Sequence, residues 1–201
     1  MAIALTLTQI INLSGGRSRR MKQLANEGVF ISNEARAGRG ARTYTLSEAA
    51  IACIVARLDT LNVQSSTLAG VANHLRTIYR VPIDYGFRSH DEGHKFWARN
   101  ILLTINRDQH LTPEKKAELA SSMGLDEYPR GEPQQLSTDE SHRIRHWVVL
   151  EKAREGEVAQ SSLYVKEDGA WTFWLDSHPS KNDEVDIYVV LNLHRILSIL
   201  R

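Results

Sequence analysis

The sequence predicts a mainly α-helical chain with an α+β C-terminal part. Three observations carry this. Apolar residues recur at helical spacing from Ile10 to about Arg154. Ser14-Gly15-Gly16, Gly28 and the stretch with Pro129, Gly131 and Pro133 fall between such segments. From Val158 onward the apolar period changes from 3.6 to 2. With 201 residues, 42% hydrophobic and 24% charged, the chain can bury a core and is not largely disordered. No apolar run approaches the roughly 18–20 residues of a membrane helix. No basic segment followed by a continuous apolar stretch opens the chain. A single cysteine, Cys53, excludes an internal disulfide and any multi-cysteine zinc or iron–sulfur site. A reducing cytoplasm is the expected setting.

After an apolar lead-in of Ile3, Leu5 and Leu7, Thr8 is the expected cap of a first helix carrying Ile10, Ile11 and Leu13. Ser14-Gly15-Gly16 breaks that helix. A second follows over about Arg17 to Asn26, where Met21, Leu24 and Ala25 form one stripe at i, i+3, i+4. Arg17, Ser18, Arg20, Lys22 and Gln23 are left to point outward, and Gly28 suits the turn beyond the helix end. Two short helices joined by a tight glycine turn, the second with a basic outer face, form a helix-turn-helix. Val29-Phe30-Ile31 and Ala41 to Thr45 are β-prone flanks of a polar stretch; paired as a hairpin they make a wing with Arg36 and Arg39 at its tip. Ser47 is the expected cap of a helix burying Ala49, Ala50, Ile51, Ile54, Val55 and Leu58. A further helix over about Ser65 to Tyr79 buries Leu68, Val71, Ala72, Leu75 and Ile78.

Charge follows this order. Residues 1–80 hold ten Lys/Arg against four Asp/Glu, whereas residues 81–201 hold fifteen against twenty. Between Ser14 and Arg42, seven cations (Arg17, Arg19, Arg20, Lys22, Arg36, Arg39, Arg42) meet only Glu27 and Glu34. A basic head on an acidic body suits a polyanion-binding module, with a solvated face as the alternative.

Helix, glycine turn, helix, wing and two helices, in this order, resemble the winged-helix DNA-binding domain of MerR-type transcription regulators over about residues 5–79. Asn26-Glu27-Gly28-Val29-Phe30 is similar to the family's reGLL segment, and Gly40-Ala41-Arg42-Thr43-Tyr44 to its GYRxY segment, followed by Leu46-Ser47-Glu48. Where the family's recognition helix commonly runs Arg-Tyr-Tyr, this chain has Lys22, Gln23 and Leu24, and Ala41 replaces the usual wing aromatic. The resemblance therefore implies phosphate contacts only for Lys22 and Arg42. Tyr44 matches a family tyrosine, with packing at the hinge as its alternative. Base-edge contacts from Arg17, Ser18, Arg19 and Arg20 rest on geometry, because the exposed start of a recognition helix enters the major groove. Gln23 has the chemistry to bond adenine. Cys53 sits on an apolar helix and reads as a small buried side chain, without support for a metal-sensing site.

Residues 81–201 form the second expected module, for dimerisation and contact with an effector or protein. Val81-Pro82 and the polar stretch Asp84 to Ser89 mark the boundary. Asp91 to Asn106 is helical in pattern, without a sustained heptad repeat. Thr112-Pro113-Glu114 opens a helix through about Met123, Asp126 to Leu136 is a loop, and Ser137 to Glu140 resembles a capping box for a helix to about Arg154. Val158 to Lys166 and Ala170 to Asp176 flank an Asp168-Gly169 turn as a hairpin. Val185 to Asn192 reads as a strand and Leu193 to Leu200 as a closing helix, or both as one helix. His90 and His94, like His142 and His146, are four apart, but neither pair has a matched third ligand, so no metal is expected. Trp171, Phe173 and Trp174 suit either an aromatic pocket or the core.

No GxSxG, P-loop, GxGxxG or catalytic cysteine setting is present, so neither an enzyme nor a cofactor is expected. The expected function is a sequence-specific DNA-binding transcription regulator: recognition helix in the major groove, basic wing on the phosphates. Its partners would be double-stranded DNA, a second copy of the chain, and RNA polymerase or another regulator. The alternatives are a protein-interaction adaptor of antirepressor type and an architectural DNA binder similar in outline to phage excisionases.

Overall fold

The computed structural model describes residues 4–33, 42–109, 111–156, 162–166 and 188–200. These are mainly helical. In chain order they form β1 (Ala4–Thr6), α1 (Leu7–Ser14), α2 (Ser18–Asn26), β2 (Thr43–Thr45), α3 (Leu46–Asp59), α4 (Ser65–Tyr79), α5 (Val81–Tyr85) and α6 (His90–Gln109). There follow α7 (Pro113–Ser122), α8 (Thr138–Glu155), β3 (Ser162–Lys166), β4 (Tyr188–Asn192), α9 (Leu193–Leu197) and a 3₁₀ turn (Ser198–Leu200). The chain gathers into two compact units, Met1–Tyr79 with Val149–Arg201, and Arg80–Val148. The second unit begins at Arg80 and ends at Val148. Residues beyond 148 rejoin the first unit because Leu193, Ile196, Leu197 and Leu200 are buried, with α9 packed on α3.

In the first unit β1 pairs antiparallel with β2, Leu5 opposite Tyr44. This pairing sets two helix starts that differ from the sequence expectation. Thr6, not Thr8, caps α1: its hydroxyl accepts from the Gln9 amide at 3.3 Å, while the Gln9 side chain accepts from the Thr6 amide at 2.8 Å. Thr45, not Ser47, caps α3 by accepting from the Glu48 amide at 3.2 Å. Both caps are the last residue of a strand, already extended, so their side chains face the helix start. Gly15, at φ 66°, takes the left-handed turn between α1 and α2, and Gly28, at φ 77°, follows the end of α2. Met21, Leu24 and Ala25 are buried, as the spacing predicts. Among the largest fully buried side chains of this unit are Ile10, Ile51, Ile54, Leu58, Leu68, Leu75 and Ile78.

Val29 to Ile31 is not a strand. The Val29 amide closes the end of α2 on the Leu24 carbonyl at 3.0 Å, the Val29 carbonyl accepts from Arg76, and the Ile31 amide donates to Glu48 at 3.0 Å. Those groups are consumed before a ladder can use them. Among the described residues, one bridge, Asn33 to Thr43, joins the flanks of the expected wing. The wing tip with Arg36 and Arg39 lies outside the described residues.

In the second unit, α5 replaces the expected linker, with Pro82 in its first turn and Gly86 left-handed beyond it. Thr112 caps α7, and Ser137 and Glu140 form a reciprocal capping box at α8 (Ser137 amide to Glu140 carboxylate 2.9 Å, Glu140 amide to Ser137 hydroxyl 3.2 Å). Tyr85, Phe87 and Trp147 stack in a row, with Phe96 tilted against Tyr85 and Phe87 and ring centroids 5.2–5.8 Å apart. Beyond α8, β3 pairs antiparallel with β4, Tyr164 opposite Val190. Residues 188–200 are a strand followed by a helix, which decides between the two readings left open by the sequence. The expected turn and second strand of the 158–176 hairpin, with Trp171, Phe173 and Trp174, lie outside the described residues.

Candidate nucleic-acid interface

Burial of Met21, Leu24 and Ala25 fixes which face of α2 looks outward. Arg17, Ser18, Arg19, Lys22 and Gln23 are all exposed. Arg17 occupies the cap position without a side-chain cap, and the first turn holds no acidic residue, so the positive end of the helix dipole stands beside two guanidinium groups. This half-turn has no counter-charge of its own.

Three of the expected contact residues are otherwise engaged. Arg20 turns inward: its Nε donates to Asp59 Oδ1 at 2.9 Å and its terminal nitrogen to the Ser65 hydroxyl at 2.8 Å, leaving its side chain 25% exposed. It therefore ties α2 to the end of α3 and the start of α4 instead of joining the outward face. Gln23 donates to Glu27 at 2.7 Å, four residues along the same helix. Tyr44 is only 1% exposed, which makes it a packing residue; its burial pushes the phenol above its ordinary value against the pull of neighbouring Arg42.

Lys22 and Arg42, twenty residues apart in sequence, line one hollow of about 300 Å³ together with Thr6, Thr8, Asn26 and Tyr44. Arg42 is steadied there by donating to Asn26 Oδ1 at 3.3 Å. Two cations with hydroxyl neighbours can hold a tetrahedral oxyanion. The threonines and Asn26 are additions that sequence reasoning missed, because only the β1–β2 pairing carries residues 6–8 to residue 42. Asp59 and Ser65 are likewise missed partners of Arg20, thirty-nine and forty-five positions away.

Elsewhere, Cys53 is buried, and that burial pushes its thiol up to about 12. His94 contacts the Met123 carbonyl at 2.9 Å, and the His142 and His146 rings lie 6.1 Å apart. Among the described residues no three His, Cys, Asp or Glu side chains gather as a metal site would need. No helix among them is long and apolar enough to cross a membrane. Compared with protein-family models, with curated proteins and with solved structures, the chain matches none of them.

Proposed function

We propose that the protein is a sequence-specific DNA-binding transcription regulator of the winged helix-turn-helix kind, acting as a homodimer. In this reading α1, the Gly15 turn and α2 are the helix-turn-helix. The exposed start of α2, with Arg17, Ser18 and Arg19, enters the major groove. Lys22 and Arg42 take one backbone phosphate in the hollow they share, and Arg36 and Arg39 extend the contact along the strand. Arg20 has a different part, holding α2 at its angle. The observation that supports the reading most is the exposed basic face of α2, whose Arg17, Arg19 and Lys22 form no ion pair among the described residues and whose orientation follows from the buried stripe behind it.

Selection of bound duplexes from a random DNA library by the full chain, followed by sequencing, tests it. An enriched inverted repeat is expected. For about 6–10 phosphate contacts, affinity should fall roughly 10³–10⁵-fold between 50 and 200 mM salt. Retention of all sequences alike, without enrichment, would refute sequence reading.

A further inference from the structure

Within the second unit, α6, α7 and the segment 125–131 border a hollow of about 840 Å³, open on one side. Small organic molecules occupy sites of this size. Its walls are fastened from several directions. The Tyr128 hydroxyl donates to the Leu102 carbonyl, Arg99 donates to the Arg130 carbonyl at 2.9 Å, and the Gln134 amide donates to Asn100 at 2.7 Å. At the near end, the Leu125 amide reaches back to the Ala120 carbonyl at 2.9 Å. The hollow therefore stands ready-made, and binding need not order it.

The floor is apolar, with Leu103 and Ala120 buried. The charges are not equivalent. Asp126, Glu127 and Arg130 are exposed at the rim, where water screens them. Lys116 is half-buried, its ammonium 5.6 Å from the centroid of the Tyr128 ring. No carboxylate among the described residues pairs with it, whereas neighbouring Lys115 is paired with Glu118 at 2.9 Å. In the same lining, the Asn106 side-chain oxygen is buried and has no hydrogen-bond partner among the described residues. A part-buried cation with no counter-ion among the described residues, beside an aromatic face and above an apolar floor, is complementary to one class of molecule.

We infer that this hollow binds a small organic anion with an apolar body, its carboxylate or sulfonate on Lys116 and its body against Leu103, Ala120 and the Tyr128 ring. The inference uses none of the basic residues of α2 and stands apart from DNA binding.

The test is fluorescence titration of the full chain with 8-anilinonaphthalene-1-sulfonate, an aromatic sulfonate, beside N-phenyl-1-naphthylamine, the same body without the charge. Saturable binding of the sulfonate at one per chain is expected. Lys116→Gln should weaken the sulfonate about tenfold and leave the neutral probe unchanged. Ala117→Trp, at an exposed position of α7 that lines the hollow, should abolish binding of both. Circular dichroism melts that coincide with the parent's verify that both variants are folded. Absence of saturable binding by the parent chain overturns the inference. So does saturable binding that neither substitution alters.

Discussion

Arg76 and Glu48 form a two-point ion pair between α4 and α3, the second contact at 3.0 Å, and both side chains are largely buried. Each also holds the backbone that leaves α2: Arg76 donates to the Val29 carbonyl, and Glu48 accepts from the Ile31 amide. The pair thus joins two core helices to the root of the expected wing. Removing one partner strands the other charge and orphans a backbone group. Arg76→Met should destabilise the fold by about 3 kcal/mol. Urea denaturation checks this, and the double change with Glu48→Gln should cost clearly less than the two single changes added together. Additive costs would show that the two side chains act independently.

Arg20 and Arg19 are adjacent in sequence but differ in setting, Arg20 turned inward and Arg19 exposed. With Arg20 held by Asp59 and Ser65, Arg20→Ala should lower stability by about 1 kcal/mol and leave sequence preference largely intact. Arg19→Ala should leave the unfolding midpoint in place and weaken or relax DNA binding. Lys22→Ala and Arg42→Ala should weaken all duplexes about equally, as loss of a phosphate contact does. Fluorescence anisotropy on matched and scrambled duplexes, with a denaturation curve for each variant, separates these outcomes. A changed base preference in Arg20→Ala would return that residue to the interface.

What was legible in the sequence was local. The stripe Met21, Leu24, Ala25 repeats within one helix, and the Ser137–Glu140 box spans four residues, so spacing alone located both. The two misplaced caps share one cause. Thr6 and Thr45 face their helices because β1 pairs with β2 across nearly forty residues, a relation no local pattern records. The same holds for the site. Period placed Arg20 on the outward face of an isolated helix, but Asp59 captures it from the far end of α3. The return of α9 to α3 bridges an even longer separation, which no local spacing records.

Cys53 is buried in α3, and burial holds its thiol protonated up to about 12. The folded chain should therefore resist Ellman's reagent at pH 8 and release one thiol on denaturation. The linked effect on stability has a definite sign. Because the folded value is raised from an ordinary 9.0, the contribution is complete below pH 9. It is lost as pH rises towards about 12, where the unfolded chain ionises first. Cys53→Ala should flatten that alkaline decline, measured as denaturation midpoints from pH 8 to 10.5. Rapid reaction of the folded thiol would contradict the buried placement.

Gly93 offers a probe of the second unit alone. It is buried in α6 directly under Trp147, and a β-carbon there would meet the six-membered ring of the indole at less than van der Waals distance. In most helices Gly→Ala is stabilising, since alanine is the better helix former by about 1 kcal/mol. Here crowding opposes propensity. Trp147 is stacked on Phe87, which in turn packs on Tyr85 and Phe96, so the ring cannot yield without disturbing its neighbours. Overpacking costs typically about 1–3 kcal/mol and should win. Gly93→Ala is therefore expected to lower the thermal midpoint and to shift the tryptophan fluorescence. Pairing it with Trp147→Leu, which frees the space, should recover part of the loss relative to Trp147→Leu alone. A Gly93→Ala chain more stable than the parent would mean that the aromatic stack adjusts and that α6 and α8 pack less tightly than the close approach of Trp147 to Gly93 implies.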